Sequence, residues 1–252
     1  MRKIDYVKLT RHIEKWIKEY IEHANARGVV VSLSGGIDSA TTAALCVNAI
    51  GRENVVTFSL PCESIDQDFD DARLVADLLE VKFEKLDLTS VFNEFIETMT
   101  PKIQPNKMAM ANVKPRLRML TNYFIAQSLE NYLVAGTGNR TELAIGYFTK
   151  YGDGGVDFEP IGALYKCEVR EVAEVLKIPE VIINKAPSAG LWEGQTDEGE
   201  IGLTYNVLDE IIYRLDYNLE LDDLNKNDVE KVKKMMDMAE HKLKMPPYFK
   251  IF

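Results

Sequence analysis

The chain has 252 residues, of which 46% are hydrophobic, and this content excludes an intrinsically disordered protein. Its net charge of −10 argues against nucleic acid as the main partner, because binding to phosphate backbones requires clustered cations. The three cysteines form no Cys-x-x-Cys pair, and no apolar run resembles a signal core or a membrane span. We therefore expect a cytoplasmic protein that binds no membrane.

Predicted strands and helices alternate through the first half of the chain. Apolar, β-branched runs predict strands at 28–33, 54–60, 81–86 and 131–136. Helical spacing of apolar residues predicts helices at 5–24, 40–47, 66–80, 91–99 and 115–130, and in the last third at 167–176, 205–215 and 228–243. The segment 188–202 is rich in Gly, Glu and Asp and long enough to be a lid, so it is predicted to be a loop.

This alternation predicts an α/β fold, with a doubly wound parallel sheet flanked by helices and a helical C-terminal region. No internal repeat or flexible linker is visible, so we expect one domain over residues 1–252. In such sheets ligands bind at the carboxyl ends of the strands. The glycine turns that follow Leu33 and Ala135 should therefore face one crevice.

The first of these turns reads Ser-Gly-Gly-Ile-Asp-Ser and joins a predicted strand directly to a predicted helix. Backbone N–H groups at the helix start, together with the hydroxyls of Ser34 and Ser39, would form a phosphate site. A carboxylate at Asp38 suits such a site only if a divalent cation lies between it and the phosphate. A βα turn that uses its glycines only for packing is the structural alternative. No Gly-Lys-Ser/Thr closes the turn, so it is not a Walker A loop.

The second turn is Gly-Thr-Gly-Asn-Arg-Thr-Glu, ending at Glu142. Thr137 and Asn139 occupy positions typical of helix N-caps. Glu142 could have only a structural role, in which it caps that helix or interacts favourably with the helix dipole. Alternatively, it is a second metal ligand that faces Asp38 across the crevice.

The Ser-Gly-Gly-x-Asp-Ser turn resembles the pyrophosphate loop of the ATP pyrophosphatase superfamily, which has an adenine nucleotide alpha hydrolase-like fold. Within that superfamily four further segments resemble NAD synthetase, the enzyme that amidates deamido-NAD. They are Gly-Thr-x-x-x-x-Glu with Gly-Tyr-Phe-Thr-Lys-Tyr-Gly-Asp-Gly-Gly at 136–155, Lys-Ala-Pro-Ser-Ala at 185–189, Asp-Glu…Leu-Thr-Tyr at 197–205, and His-Lys at 241–242. The resemblance extends from about residue 32 to residue 242.

The resemblance implies a role for each matching residue. ATP would be bound by Ser32, Leu33, Ser34, Gly35, Gly36, Ile37, Asp38, Ser39, Thr137, Lys166 and Ser188, and Mg²⁺ by Asp38 and Glu142. Deamido-NAD would be bound by Arg116, Lys150, Asp157, His241 and Lys242. Asp153 and Lys166 are the candidate catalytic residues: Asp153 would lie near the reacting carboxyl, and Lys166 would offset charge on the phosphates. Taken alone, each basic residue could instead be ordinary solvated surface.

The chain departs from the family pattern at two positions. Ile37 stands where many members have glutamine, so any hydrogen bond from that side chain is absent. Gly190 replaces an acidic residue that often follows Lys-Ala-Pro-Thr-Ala, and its contact is in question.

The resemblance also implies partners. The substrates would be ATP, deamido-NAD and free ammonia, since the synthetase motifs begin too early in this sequence to leave room for a glutaminase domain ahead of them. The protein would be a homodimer with the dinucleotide across its interface, a prediction that the apolar surface of the helix at 115–130 favours. Two alternatives remain: a related adenylating amidase or thiolase with another acceptor, and an ATP-binding regulatory protein. The two candidate metal carboxylates argue against an ATP-binding regulatory protein, because binding alone does not require both of them.

Overall fold

A computed structural model describes residues 2–188, 190, 192 and 194–251. Its central sheet has four strands: β1 (Gly28–Ser32), β2 (Val55–Ser59), β3 (Lys82–Lys85) and β4 (Tyr132–Val134). Around it lie α1 (Tyr6–His23), α2 (Ile37–Ile50), α3 (Asp66–Leu79), α4 (Thr89–Met99), α5 (Lys107–Ala111), α6 (Val113–Ser128), α7 (Arg140–Ile145), α8 (Lys166–Val175), α9 (Glu180–Ile183), α10 (Asp197–Ile201), α11 (Tyr205–Asp216) and α12 (Lys226–Leu243).

All pairings between these strands are parallel, in the order β3-β2-β1-β4. The chain proceeds outward from β1 to β2 and β3, and then returns to add β4 on the other side of β1. This reversal makes a topological switch point between β1 and β4, where parallel sheets open a crevice for ligands. Both glycine turns follow these two strands, so the predicted common crevice lies at the switch point.

Helices cover both faces of the sheet. On one face, α1, α2, α3, α8 and α9 share a core with β1, in which Val29, Leu45 and Val172 are fully buried. On the other face, α6 packs against β1, β2 and β4 through Ala126 and its neighbours. The doubly wound parallel sheet is therefore confirmed. A separate cluster from α7, α10, α11 and α12 forms the helical C-terminal region.

The predicted strands and long helices are all present, and their ends shift by a few residues. The largest shift is at α2, which begins at Ile37 rather than Ala40, because Gly36 adopts an extended conformation directly before the helix. Three short helices, α5, α9 and α10, lie where the sequence predicted no helix. Asn106 caps α5 and Thr196 caps α10 through side-chain hydrogen bonds, and helices this short show no apolar period.

The loop predicted at 188–202 thus contains α10 near its end. Residues 189, 191 and 193 of that segment lie outside the described residues. None of the helices in the described chain is long and apolar enough to cross a bilayer.

Candidate active site

The turn between β1 and α2 is held by its own serines. The backbone N–H of Ser34 donates to Ser39 Oγ at 3.1 Å, and Ser39 Oγ donates to the carbonyl of Gly36 at 3.0 Å. The two hydroxyl oxygens lie 3.1 Å apart. These short-range bonds shape the turn before any ligand binds; Ser34 is exposed, whereas Ser39 is buried.

Gly35 in this turn cannot be replaced without moving the backbone. Its φ is +78°, a conformation that L side chains rarely adopt, and a Cβ would lie 2.4 Å from the carbonyl oxygen of Asp68. The turn therefore packs directly on α3, which explains why glycine is required at this position.

The two predicted metal carboxylates share one buried cation. Lys166 Nζ donates to Asp38 Oδ2 at 2.6 Å and to Glu142 Oε1 at 2.9 Å. The Lys166 side chain is only 3% exposed. Asp38 is fixed further by Asn139, whose amide donates to Oδ1 at 2.9 Å. The structure thus brings together residues from the first turn of α2, the first turn of α7 and the start of α8.

Burial and charge act in opposite directions on this cluster. Burial raises the pKa of the Glu142 carboxyl to about 7, and the neighbouring charge of Lys166 lowers it in part. Burial lowers the pKa of Lys166, but the charges of Asp38 and Glu142 outweigh burial and raise that pKa above its ordinary value. Lys166 is therefore a permanent cation between two carboxylates.

Asn139 is the true N-cap of α7, since its side chain accepts from the backbone N–H of Glu142 at 3.0 Å. Thr137 lies two residues earlier and does not cap the helix. It lines a small cavity of about 40 Å³ together with Glu142, Asp153 and Glu159. Thr137 thus shares this cavity with one of the two predicted metal carboxylates, Glu142.

The sequence did not assign roles to Tyr147 and Tyr205, which surround this cluster. The hydroxyl of Tyr205 donates to Asp197 Oδ2 at 2.9 Å and lies 3.1 Å from Glu142 Oε1. The hydroxyl of Tyr147 donates to Glu200 Oε2 at 2.8 Å. These bonds tie α10 to the Glu142 carboxylate. Tyr205 stood within the Leu-Thr-Tyr segment of the family pattern, which was the available signal.

Lys185, from the Lys-Ala-Pro-Ser-Ala segment, was also missed. Its ammonium group donates to Asp68 at 2.9 Å and to Asp71 at 2.5 Å, and it lies 3.4 Å from the carbonyl of Gly35. It therefore anchors this segment to α3 and to the turn between β1 and α2. Ser188 follows three residues later, where its exposed hydroxyl accepts from the N–H of Gly190.

Most of the residues predicted to bind the dinucleotide meet at a second place. Arg116 Nη2 donates to the carbonyl of Lys150 at 3.3 Å, and Lys150 Nζ donates to the carbonyl of His241 at 2.5 Å. Lys242 Nζ donates to the carbonyls of Gly146 and Phe148 at 2.6 and 2.7 Å. This basic group joins the start of α6, the loop after α7 and the end of α12.

Asp157 is engaged elsewhere. Its Oδ2 accepts from the backbone N–H of Val134 at 2.7 Å, and its Oδ1 accepts from the hydroxyl of Tyr123 at 3.1 Å. The hydrogen-bond partners of its carboxylate lie on β4 and α6, not among the basic residues. The structure does not unite Asp157 with the other predicted dinucleotide residues.

Asp153 lies in the Gly-Asp-Gly-Gly loop at 152–155. Its Oδ1 accepts from the backbone N–H of Thr149 at 3.0 Å. Burial raises its pKa, and it lines the same small cavity as Thr137 and Glu142.

Sequence reasoning missed Glu159, which lines this cavity too. Its Oε2 accepts from the N–H of Gly138 at 2.9 Å, and burial raises the pKa of its carboxyl to about 8.

Comparison with known proteins places this arrangement in context. The family model described as NAD synthase matches residues 9–246. The NH(3)-dependent NAD(+) synthetase of Carboxydothermus hydrogenoformans is 47% identical over 97% of this chain and 98% of its own length. The enzyme of the same name from Thermococcus sibiricus is 42% identical over 98% of both chains.

Solved structures agree with this result. The NMN synthetase of Francisella tularensis superposes with a TM-score of 0.87 and 31% identity, over 98% of this chain and 100% of that one. The NH3-dependent NAD synthetase of Campylobacter jejuni, in complex with nitrate, gives a TM-score of 0.84 and 30% identity over the same shares. With its pyrophosphate-loop turn, its paired carboxylates and this match along nearly the whole sequence, the chain belongs to the NAD synthase family.

Proposed function

We propose that this protein catalyses the ATP-dependent amidation of deamido-NAD by ammonia, giving NAD, AMP and pyrophosphate, the last step of NAD biosynthesis. It is then a ligase that forms a C–N bond. The observation that carries the proposal is the pair Asp38 and Glu142 around the Lys166 ammonium, at the end of a glycine turn and at the switch point of the sheet. The names of the relatives support the same reaction.

The carboxylate of deamido-NAD must be activated by adenylation before ammonia can attack it. A carboxylate resists attack by ammonia, because it is an anion and its oxygen is a poor leaving group. In the first step its oxygen bonds to the α-phosphorus of ATP, the bond from that phosphorus to the bridging oxygen breaks, and pyrophosphate leaves with the electron pair. Negative charge then increases on the pyrophosphate oxygens, where the N–H groups of the turn, the hydroxyls of Ser34 and Ser39, and Lys166 offset it.

Asp38 and Glu142 would hold Mg²⁺. Magnesium in phosphoryl-transfer sites takes one or two carboxylates and completes its shell with substrate phosphates and water. The donor set fits, since both carboxylates converge on one point, where Lys166 now supplies the positive charge. When bound, the ion would neutralise charge on the phosphates. Thr137 and Ser188 complete the ATP contacts in this proposal.

The basic group at Arg116, Lys150, His241 and Lys242 would bind the dinucleotide phosphates and ribose hydroxyls. Arg116, Lys150 and His241 already contact one another through backbone carbonyls, and Lys242 is held by the carbonyls of Gly146 and Phe148, so the group is positioned without a ligand. Asp157 remains a proposed contact, although its carboxylate now accepts two hydrogen bonds within the protein.

Asp153 is the proposed base for the second step. Ammonium must lose a proton before nitrogen can attack the acyl-adenylate, and AMP then leaves with its electron pair. Because burial raises the pKa of Asp153, this carboxylate accepts a proton more readily than an exposed one. The intermediate would hydrolyse in water, which favours closure of the segment 188–202 during the reaction.

We also propose a cytoplasmic homodimer. Two described features support the assembly: α6 exposes Leu120 and Phe124, and the neighbouring α4 exposes Val91 and Phe95. Large exposed apolar surface of this kind marks interfaces. The described cysteines are free, as in a reducing compartment.

A second candidate reaction has one observation in its favour. The structure of the Francisella tularensis protein, which superposes well, is that of an NMN synthetase. Amidation of nicotinate mononucleotide would use the same adenylation chemistry on a substrate that lacks the adenylate half.

The decisive assay measures pyrophosphate release from Mg-ATP with deamido-NAD or with nicotinate mononucleotide. Each acceptor is tested with ammonium and with glutamine freed of ammonia. We expect turnover with deamido-NAD and ammonium, and a rate that rises with pH at fixed total ammonium, because NH₃ is the nucleophile. A preference for the mononucleotide would establish the second reaction, and equal rates with purified glutamine would refute the assignment of the nitrogen donor.

A further inference from the structure

Arg118 on α6 carries a charge that the described protein does not neutralise. Its Nε donates to the carbonyl of Leu60 at 2.9 Å, and its Nη2 donates to Ser64 Oγ at 3.3 Å. Both acceptors are uncharged, and no ion pair of Arg118 exists within the described residues. A guanidinium group has five N–H donors, so most of them remain available.

The neighbouring buried cations differ from Arg118 in this respect. Lys166 contacts two carboxylates, and so does Lys185. Lys114, one turn before Arg118 on the same helix, contacts Glu63 at 2.9 Å. An inward-facing cation without a carboxylate partner is costly, because burial removes its hydration. A counterion that arrives with a ligand would offset that cost.

Arg118 stays charged despite its surroundings. Burial lowers its pKa, and the nearby Cys62, Asp153 and Asp68 act in the opposite direction. A guanidinium nevertheless remains protonated throughout the physiological pH range. Arg118 therefore presents a permanent positive charge with unused donors.

The position of Arg118 indicates which ligand it meets. Leu60 directly follows β2, at the carboxyl edge of the sheet, where the turn after β1 also lies. Asp68 packs under Gly35 of that turn, while Asp153 belongs to the loop proposed to lie at the reacting carboxyl. Asn122, one turn after Arg118 on α6, accepts from the hydroxyl of Ser32 at the end of β1 at 2.7 Å, so this stretch of α6 lies along the carboxyl edge of the sheet.

We propose that Arg118 is a substrate-binding residue whose unused N–H groups hold an anionic oxygen at the reacting centre. The inference rests on the proposed function, in which two anions, a carboxylate and the α-phosphate, must approach each other. A cation between them reduces their repulsion, and the planar donor set of arginine matches either group. The bound oxygen belongs to the nicotinate carboxylate or to the ATP phosphates.

Binding measurements separate these two sources from a structural role. Calorimetry would give the affinities of Mg-ATP, deamido-NAD and NAD for the wild type and for Arg118→Gln, which keeps a donor for Leu60. If Arg118 holds the carboxylate, deamido-NAD binding should weaken about tenfold or more while NAD, its amide, binds as before. If Arg118 holds a phosphate of ATP, the affinity for Mg-ATP should fall by about the same factor.

Ser64→Ala is the matched control, because it removes one acceptor of Arg118 and leaves the cation in place. It should preserve the affinity for Mg-ATP and the ratio of deamido-NAD to NAD affinity. If Arg118→Gln fails to fold, Arg118→Lys serves instead, since lysine keeps the charge and loses the parallel hydrogen bonds; the affected affinity should then fall about fivefold.

A folded Arg118 variant that retains both the affinity for Mg-ATP and the ratio of deamido-NAD to NAD affinity within twofold would overturn the inference. A different result would show that the proposed function itself is wrong. In that case the wild-type protein itself releases no pyrophosphate with either pyridine acceptor and ammonium.

Discussion

The buried ammonium of Lys166 explains how two carboxylates can lie close together before a metal arrives. Uncompensated, Asp38 and Glu142 would repel each other in a partly buried site. Lys166 contacts both, and Asn139 holds the second oxygen of Asp38. In the proposed reaction Asp38 and Glu142 would hold Mg²⁺, and Lys166 would then offset charge on the phosphates.

The first prediction tests the metal assignment. Asp38→Asn and Glu142→Gln keep the shape of each side chain and remove its charge, so each should reduce kcat about 100-fold or more while the fold survives. Steady-state pyrophosphate release at limiting Mg²⁺ measures this. Glu19→Gln, which alters an exposed carboxylate on α1, is the control. Near-normal activity of either site variant would refute its role as a ligand.

A second prediction concerns Glu159 and stability. Burial raises the pKa of its carboxyl from 4.5 to about 8, so between these values the folded protein binds more protons than the unfolded chain. Stability must therefore fall as pH rises through this window. Glu159→Gln removes that contribution, and its free energy of unfolding relative to wild type should increase by on the order of 2 kcal/mol between pH 5 and 8.

Urea denaturation at several pH values measures this effect. Glu19→Gln again serves as the control, since an exposed carboxylate should leave the pH profile of the wild type unchanged. Identical pH profiles for Glu159→Gln and the wild type would show that the Glu159 carboxyl titrates normally in the folded protein.

Among individual residues, the two turns at one crevice predicted that Glu142 faces Asp38, whereas Lys166 was assigned only through the family resemblance, as a contact of ATP. Lys166 lies 24 residues after Glu142 and 128 after Asp38, and no local pattern encodes that contact. Arg118 and Lys185 went unassigned because a basic residue in a helix or loop is usually solvated. Their burial and their partners depend on tertiary packing.

At the scale of elements, the proposed lid at 188–202 follows one anchor and contains a second. Lys185 fixes its beginning to α3, and α10 fixes its end through bonds from Tyr147 and Tyr205. Ser188 and Gly194, between these anchors, are exposed.

The third prediction tests this lid. Limited proteolysis should cut within 188–202 when no ligand is present, and ATP with deamido-NAD should slow cleavage about tenfold or more. Mass spectrometry of the fragments identifies the cut. The exposed loop at 218–224 is an internal control, since its cleavage should not respond to ligands. Equal cleavage rates in the two states would eliminate the lid.

Periodicity predicted the long helices and the buried strands because each buries one face or both faces. It could not find α5, α9 or α10, which are too short for a period and depend on caps such as Asn106 and Thr196. The order of the strands was also not predictable, although alternation implied parallel pairing. Strand order depends on how α6 crosses the sheet to place β4 beside β1.

At the scale of the whole molecule, α6 links the active site to a surface that one chain leaves open. Its inner face packs on the sheet through Ala126, while Leu120 and Phe124 on its outer face are 62% and 71% exposed. Arg116 lies at the start of the same helix, beside Lys150. We propose that a second copy packs against this outer face and that Arg116 then reaches the crevice of the partner.

The last prediction decides whether Arg116 acts in its own subunit or across this interface. Asp38→Ala removes the ATP side of the site and Arg116→Ala removes the dinucleotide side, so each homodimer is inactive. If Arg116 acts across the interface, a mixed dimer has one doubly damaged site and one intact site. Random pairing on co-refolding then leaves about a quarter of all sites intact, and activity returns to about that fraction of the wild type.

Arg116 contacts Lys150 of its own chain, which favours the alternative that Arg116 acts within its own subunit. If Arg116 serves its own crevice, every site in the mixture keeps one lesion, because no exchange of subunits restores both residues to the same chain. Analytical ultracentrifugation must first show the dimer, since a monomer at working concentration would end the shared-site proposal without further assay. A mixed dimer verified by mass spectrometry that recovers no activity would assign Arg116 to its own subunit and leave the apolar face of α6 a purely structural interface.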